Sequence, residues 1–513
     1  MIRALLAIAA LWISAAHAAE LRVGVAADVT SMDPHFLNIQ PNNNIGWQVF
    51  DALTHVDADA RLTPGLAVSW RAVNPTTWEF KLRHGVRFHD GAELTAADVV
   101  FSIERTRSVP NGQFGAFTQR IVAVETPDPH TVRLKTTAPY AMVPYDLNSV
   151  FIVSKKAAAG ARSEDFDSGK ATVGTGAFRF VRFSRGDRVE LARNEGYWGG
   201  ASAWDKVVFR IIPTDPARIA GLLSGDLDLI EQIPTPDLDR IRRDALLRTT
   251  QKVSWRTLFF YADQRASTPR GVTDKAGKRL ERNPFRDLRV RRALSMAIDR
   301  AAIASRLMDG AALPASNLVA PPVFGYAADV KPDPYDPDGA KRLLAEAGYP
   351  DGFAATLSAT NNRYVNDEQI AQAVAQMLAR VGVRVRVEAI PVNVYLPRAR
   401  KGELAFGMFG WGSYSGDLAL RSLLATPDAS KGYGAFNWSG YSSAKLDALL
   451  ERAFATVDEK AREQIAREAM REAMRDEAVI PLHHQITTWA MKSNLNYAPR
   501  TDEYTFARDV TPR

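Results

Sequence analysis

The sequence predicts an α/β protein built as two lobes. Three observations carry that prediction. Strand and helix patterns alternate through about residues 207–230, and they do so again through about 287–387. The two stretches separate near residue 255, and a strand-like run returns near 480, after the last helices. A cleft between two lobes is then the expected place for a site.

Taken in order, residues 20–25 alternate apolar and other side chains, as a strand does. Polar, turn-rich sequence follows from Ser31 to Asn44, and 46–53 reads as a short helix carrying Trp47, Phe50 and Leu53. In TWEFKLR (77–83), Trp78, Phe80 and Leu82 are assigned to a core and Glu79, Lys81 and Arg83 to water. His89-Asp90-Gly91 is a turn. Thr95 and Asp98 have the spacing of a capping box and open a helix through Val99, Val100 and Ile103. Gly174-Thr175-Gly176 begins like a dinucleotide loop, but Arg179 stands where the third glycine belongs, so a plain turn is expected.

Residues 207–212 form a buried type of strand, 217–223 a helix stopped near Gly225, and 227–230 the start of another strand. An aromatic strand at 258–261 precedes a polar surface segment at 263–286. A helix is expected over 287–308, and another over 341–347 with Gly348 as its left-handed cap. A third is expected over 369–380, followed by a strand at 383–387. Residues 445–455 and 459–475 form a helical pair, with Ala461, Ile465, Ala469 and Ala473 on one face of the second. A strand at 480–491 and a polar tail complete the chain.

The N-terminus predicts export. Arg3 precedes an apolar run, and Ala16-His17-Ala18 fits signal-peptidase cleavage, so 1–18 reads as a signal peptide. No other segment is apolar for long enough to cross a bilayer. There is no cysteine among the 513 residues, which removes disulfides, thiolate metal sites, cysteine nucleophiles and a lipid-modified cysteine. A freely diffusing periplasmic protein, acting as a monomer, is expected. The formal charge of +7 is a weak bias over this length. No dense basic run with interleaved aromatics is present, so nucleic acid is not an expected partner.

The sequence contains no G-x-S-x-G, no Walker loop, no H-E-x-x-H and no EF-hand loop. His483 and His484 are adjacent on a strand and point to opposite faces, so one is expected buried and the other exposed, without a shared metal. No cofactor is called for. FGWGSYSGDLALRS (409–422) reads as a small-residue loop leaving a strand, where a ligand can approach the backbone.

Several blocks together are similar to the extracytoplasmic solute-binding proteins of ABC transporters, in the oligopeptide, dipeptide and nickel class. They are LAVSWRAVNPTTWEFKLRHGVRFHDGAELTAADVVFSIER (66–105), GTGAFRFVRFSRGDRVELARNEGYW (174–198), NPFRDLRVRRALSMAIDR (283–300) and YDPDGAKRLLAEAGYPDGF (335–353). The resemblance implies a type II periplasmic-binding-protein fold with an extra subdomain in the first lobe. The implied boundaries are 19–255 for lobe I, with the subdomain at about 55–180, then 256–482 for lobe II and 483–513 returning to lobe I. Two strands, near 254–262 and 481–488, would cross between the lobes. The expected partners are a short peptide or other small solute and the permease subunits of an inner-membrane ABC importer.

The resemblance also implies ligand-facing residues. The late loop contributes Trp411, Gly412, Ser413, Tyr414 and Asp417. Dipeptide-binding relatives place an acid where Tyr414 stands, to pair with the ligand's α-amino group. Two readings of Asp417 stay open: it takes that role from a new position, or it caps the following helix. Arg363, beside Asn361 and Tyr364, is the candidate to grip a carboxylate, against the reading of an ordinary loop arginine. Tyr395 follows the next strand. Asn42, Asn43, Asn44 and Trp47 occupy the segment that faces the cleft in relatives. The altered acid keeps glutathione, an opine-like conjugate and a metal chelate open as ligands. A secreted hydrolase on the same scaffold is the remaining alternative, without a recognisable nucleophile or acid pair.

Overall fold

The computed structural model describes residues 19–265, 271–429 and 431–513. The expected signal peptide, 1–18, lies outside the described residues, as do 266–270 of the polar segment.

Strand and helix alternation produces parallel pairing on both sides of the molecule. Glu20–Val25 runs parallel to Lys206–Ile211 and to Leu229–Glu231, and helix Asp215–Ser224 connects those two. Ala354–Thr360 likewise runs parallel to Arg384–Ile390 across helix Asp367–Arg380. Gly225 and Gly348 follow their helices with φ of 84° and 92°, a region that glycine enters without Cβ strain.

Both sets belong to one 11-stranded sheet. Its order is Phe178–Ser184, Arg188–Arg193, Lys206–Ile211, Glu20–Val25, Leu229–Glu231, Ile480–Lys492, Leu247–Ala262, Phe406–Gly412, Ala354–Thr360 and Arg384–Ile390, with Ala312–Pro314 also on Ile480–Lys492. The join is made by two long antiparallel strands, Leu247–Ala262 (16 residues) and Ile480–Lys492 (13 residues). Alternation along the first distributes its side chains between faces. Leu258, Phe260 and Ala262 enter one core, and Phe259 and Tyr261 enter another. The second of these cores unites a separate four-stranded antiparallel sheet, which includes Thr77–Leu82, with helices Gly416–Leu423, Ala444–Ala455 and Glu459–Arg475.

Local expectations fail where tertiary neighbours intervene. The early helix is Gln40–Val49, with Pro41 in its first turn, where a missing N–H is harmless; Phe50 already turns extended and Asp51–Ala52 pairs as a strand. The helix expected over 287–308 breaks: Leu288–Met296 ends, Asp299 caps a short turn through the N–H of Ala302, and Ile303–Leu307 closes as a π turn. Glu79 does not face water. Its side chain is 3% exposed because Arg71 and Arg133 sit opposite it on the flanking strands and both bind its carboxylate. Both His483 and His484 are buried, since their strand is covered on both faces and its edge is taken by Ala312–Pro314. His484 Nδ1 meets Thr257 Oγ1 at 2.8 Å, while neither ring nitrogen of His483 finds a partner among the described residues.

Candidate functional site

The regular pairing of the two long strands is interrupted between Val253 and Thr257. Val253 is opposite Ile486 and Thr257 is opposite His484, so Ser254, Trp255 and Arg256 bulge against Gln485. A bulge breaks the ladder locally and re-aims side chains. The freed N–H of Trp255 donates instead to the carbonyl of Thr501, in the C-terminal tail.

That tail supplies the bulge's main partner. Glu503 has φ of 67°, a conformation unfavourable for a residue with a side chain and held here by many bonds. Its Oε1 accepts from Ser254 Oγ (2.6 Å), Arg256 Nε (3.1 Å) and Gln485 Nε2 (3.3 Å), and its Oε2 accepts from Arg256 Nη2 (2.6 Å). Burial pushes the Glu503 carboxyl upward. The arginine and the hydroxyl outweigh it, and the group sits below the usual carboxylate range.

Arg363 lies close by and has no such partner. It precedes helix Asp367–Arg380, and its backbone N–H helps to hold Asp367 Oδ2 at 3.1 Å. The residue is exposed; its guanidinium makes no hydrogen bond among the described residues and stands 5.5 Å from the ring centre of Tyr364. The charge of Arg256 is the largest influence on it and lowers its pKa. Two guanidiniums thus share one region, one neutralised by Glu503 and one available to an anion.

Aromatic rings gather on Trp255, the chain neighbour of Arg256. Trp255 lies 6.4 Å from Tyr414 and 6.1 Å, edge-on, from Tyr504. Gly412 permits the arrangement, because a Cβ there would lie 2.5 Å from Trp255 Nε1. Tyr414 stacks on Tyr145 at 5.8 Å and donates its hydroxyl to the Tyr145 carbonyl. Trp411 is half-buried against Phe436 at 4.7 Å. Asn43 reaches the Tyr504 hydroxyl at 3.5 Å from the helix on the opposite side.

The structure therefore brings Arg363, Gly412, Tyr414 and Asn43 toward one region, with Asn361 exposed on the Arg363 loop. Other candidates are engaged inside the fold. Asn42 is buried on Thr30 and Ser31, and Asn44 accepts from the backbone N–H of Thr505. Trp47 packs in a core against His55 and Phe151. Tyr364 is buried with its hydroxyl bonded to both backbone groups of Gly410, and Ser413 donates to the Ser415 carbonyl. Tyr395 is 0% exposed, its hydroxyl on Tyr261 and the Met408 carbonyl.

Asp417 follows the second of its two readings, at the start of the helix. It is 0% exposed, accepts from the Leu418 N–H and from Ser415 Oγ, and pairs with Arg462 Nη1 at 3.2 Å. It serves the start of helix Gly416–Leu423 and a buried cation, and no part of it opens toward Arg363. Conversely, Trp255, Arg256 and Glu503 were missed. The sequence places Trp255 and Arg256 at the start of an expected crossing strand, but Glu503 lies in a polar tail with no pattern to mark it.

Comparison with known proteins gives the family and the fold. Residues 61–428 match the family model described as bacterial extracellular solute-binding proteins, family 5 middle. The chain belongs to that family. It is 29% identical to heme-binding protein A of Haemophilus influenzae, over 83% of this chain and 79% of that protein. It is 28% identical to glutathione-binding protein GsiB of Salmonella typhimurium, over 93% and 91%. Among solved structures, it resembles the periplasmic binding protein DppA of Helicobacter pylori in complex with peptide STSA. The TM-score is 0.79 and the identity 25%, over 96% of this chain and 98% of that one. The fold, a mixed α/β architecture of the type II periplasmic-binding class, is shared with HbpA2 of Haemophilus parasuis at a TM-score of 0.81, 24% identity and coverage of 96% and 100%.

Proposed function

We propose that this family member is the periplasmic solute-binding component of an ABC importer, and that it holds a short peptide or peptide-like solute by a carboxylate. One observation carries the reading: the guanidinium of Arg363, an exposed residue, makes no hydrogen bond among the described residues, and it stands close to the Arg256–Glu503 pair, whose chain neighbour Trp255 meets the rings of Tyr414 and Tyr504. A planar fork of this kind grips a carboxylate bidentately, and rings beside it cover the rest of a ligand.

In this reading, residues 19–255 with 483–513 form one lobe, carrying a subdomain at about 55–180, and 256–482 form the other. Leu247–Ala262 and Ile480–Lys492 act as the hinge. Arg363 comes from the second lobe, Glu503 and Tyr504 from the first, and Trp255 from the hinge. A ligand touching all three favours closure by the difference in its affinity for the closed and open forms. A membrane permease then reads the closed shape. The protein works as a monomer after loss of residues 1–18, and it binds and releases without chemistry.

Titrating the mature protein with a panel of dipeptides and tripeptides, followed by tryptophan fluorescence, tests the reading. A saturable response that Arg363→Ala abolishes is expected. A response that the variant keeps in full refutes Arg363 as the anchor. The relatives that bind glutathione or heme, and the engaged Asp417, favour including glutathione, opine-like conjugates and metal chelates in the panel.

A further inference from the structure

The charges around the cleft do not balance, and the imbalance has a direction. Four acids lie about the Arg363 and Tyr414 positions; three are fully engaged and the fourth is buried out of reach. Glu503 is bound by Arg256 through both oxygens, and by Ser254 and Gln485. Asp367 accepts from Thr360 Oγ1 and from the backbone N–H groups of Arg363, Tyr364 and Glu368, fastening the start of its helix. Asp417 is sealed against Arg462. Asp146, behind Tyr414, is buried; its Oδ2 takes the hydroxyl of Tyr140, and its Oδ1 has no hydrogen-bond partner among the described residues but is shut away from solvent. Arg363 alone in this group has no counter-charge in hydrogen-bond reach.

A desolvated ammonium without a carboxylate partner is strongly disfavoured, whereas a carboxylate meets an available fork. Placing a second cation between Arg363 and Arg256 adds repulsion to desolvation. We infer that the cleft selects solutes whose amino group is blocked, namely N-acylated amino acids and N-acylated short peptide acids, over the same compounds with a free ammonium. This rests on the proposed role of Arg363 as carboxylate anchor and adds to it the rejection of the opposite end of a free peptide. The aromatic surround suits the acyl group, which brings apolar area and one carbonyl in place of a charge.

Three probes separate the two claims: trialanine, N-acetyl-trialanine, and N-acetyl-trialanine amide, each titrated calorimetrically into the mature protein and into Arg363→Ala. The expected order places N-acetyl-trialanine at least about tenfold tighter than trialanine, with the amide weakest. Trialanine binding as tightly as its acetylated form overturns the inference while leaving the anchor intact. Equal binding of acetylated acid and amide, or no loss in Arg363→Ala, overturns the anchor itself. If none of the three binds at millimolar concentration, N-acyl peptide acids are not the ligand class and the inference also falls. Repeating the comparison with N-acetyl-alanine and alanine guards against a length mismatch, and the same acetyl preference is expected there.

Discussion

Arg256 and Glu503 close a buried two-bond pair, Nη2 to Oε2 at 2.6 Å and Nε to Oε1 at 3.1 Å, across 247 residues of sequence. It pins the C-terminal tail to the bulge in the long central strand, and it leaves Arg363 beside it as the one guanidinium in this group open to an anion.

Breaking that pair is expected to cost stability. Removing one partner of a buried ion pair leaves the other uncompensated, at about 3–5 kcal/mol. Glu503→Gln keeps the shape and loses the charge, so its urea midpoint should fall clearly below that of the parent at pH 7. An unchanged midpoint would show that the tail is held by other contacts.

The same pair sets an acid limit. The folded carboxyl of Glu503 lies below its ordinary value, so its contribution is present above about pH 4.5 and is lost as pH falls through the lower folded value. The stability gap between parent and Glu503→Gln should therefore narrow on acidification below pH 4.5. A gap that stays constant to pH 3 would contradict the assignment.

Arg363→Ala should separate binding from folding. Loss of a charge-assisted bond to a carboxylate is worth about 1.5–3 kcal/mol, or roughly 10- to 150-fold in affinity. Thermal stability should hold or rise slightly, because the charge of Arg256 no longer faces a like charge. Arg363→Lys should recover only part of the affinity, since a point charge replaces the fork.

Asp417→Ala should do the reverse of what a ligand-contact residue would do. Arg462 lies 4.5 Å from the ring centre of Tyr145 and 4.2 Å from that of Phe324, and Asp417 is its carboxylate partner there. The expected result is a loss of about 3–5 kcal/mol in stability. Affinity should be little changed in the fraction that remains folded, as measured by calorimetry below the melting range. A stable variant with abolished binding would restore Asp417 to the cleft.

Glu477 gives a slope on the alkaline side. It is 7% exposed, and burial, then neighbouring Asp333, pushes its carboxyl up to about 9. Between about pH 4.5 and 9 the folded chain holds a proton that the unfolded chain has lost, so stability falls as pH rises through this window. Glu477→Gln removes the titration, and at pH 8.5 it should be the more stable protein by more than about 1 kcal/mol. Identical pH profiles for parent and variant would refute this.

Local pattern made much of the fold legible. Thr95 and Asp98 form the expected capping box, with Asp98 Oδ2 accepting from the Thr95 N–H at 3.0 Å. Trp78, Phe80 and Leu82 enter the core as their alternation requires, and Gly225 and Gly348 end helices where they stand. The candidate site was less legible. Arg363, Gly412 and Tyr414 were named through the family resemblance at segments outside the four matching blocks, and Asp417, Tyr395 and Trp47, named the same way, turn inward.

By itself, then, the sequence determined the alternating elements, the family and the segment that carries an available arginine, because periodicity, caps and blocks are written over short distances. Which charge meets which was decided only in three dimensions. Asp417 and Arg462 are 45 positions apart and Arg256 and Glu503 are 247 apart, and no local pattern encodes such a pairing. A carboxylate's role follows from what lies within about 3 Å of it, and packing assigns that neighbour. Packing made one acid a buried counter-ion and another the clasp of the tail, and it left the guanidinium of Arg363 without a hydrogen bond among the described residues.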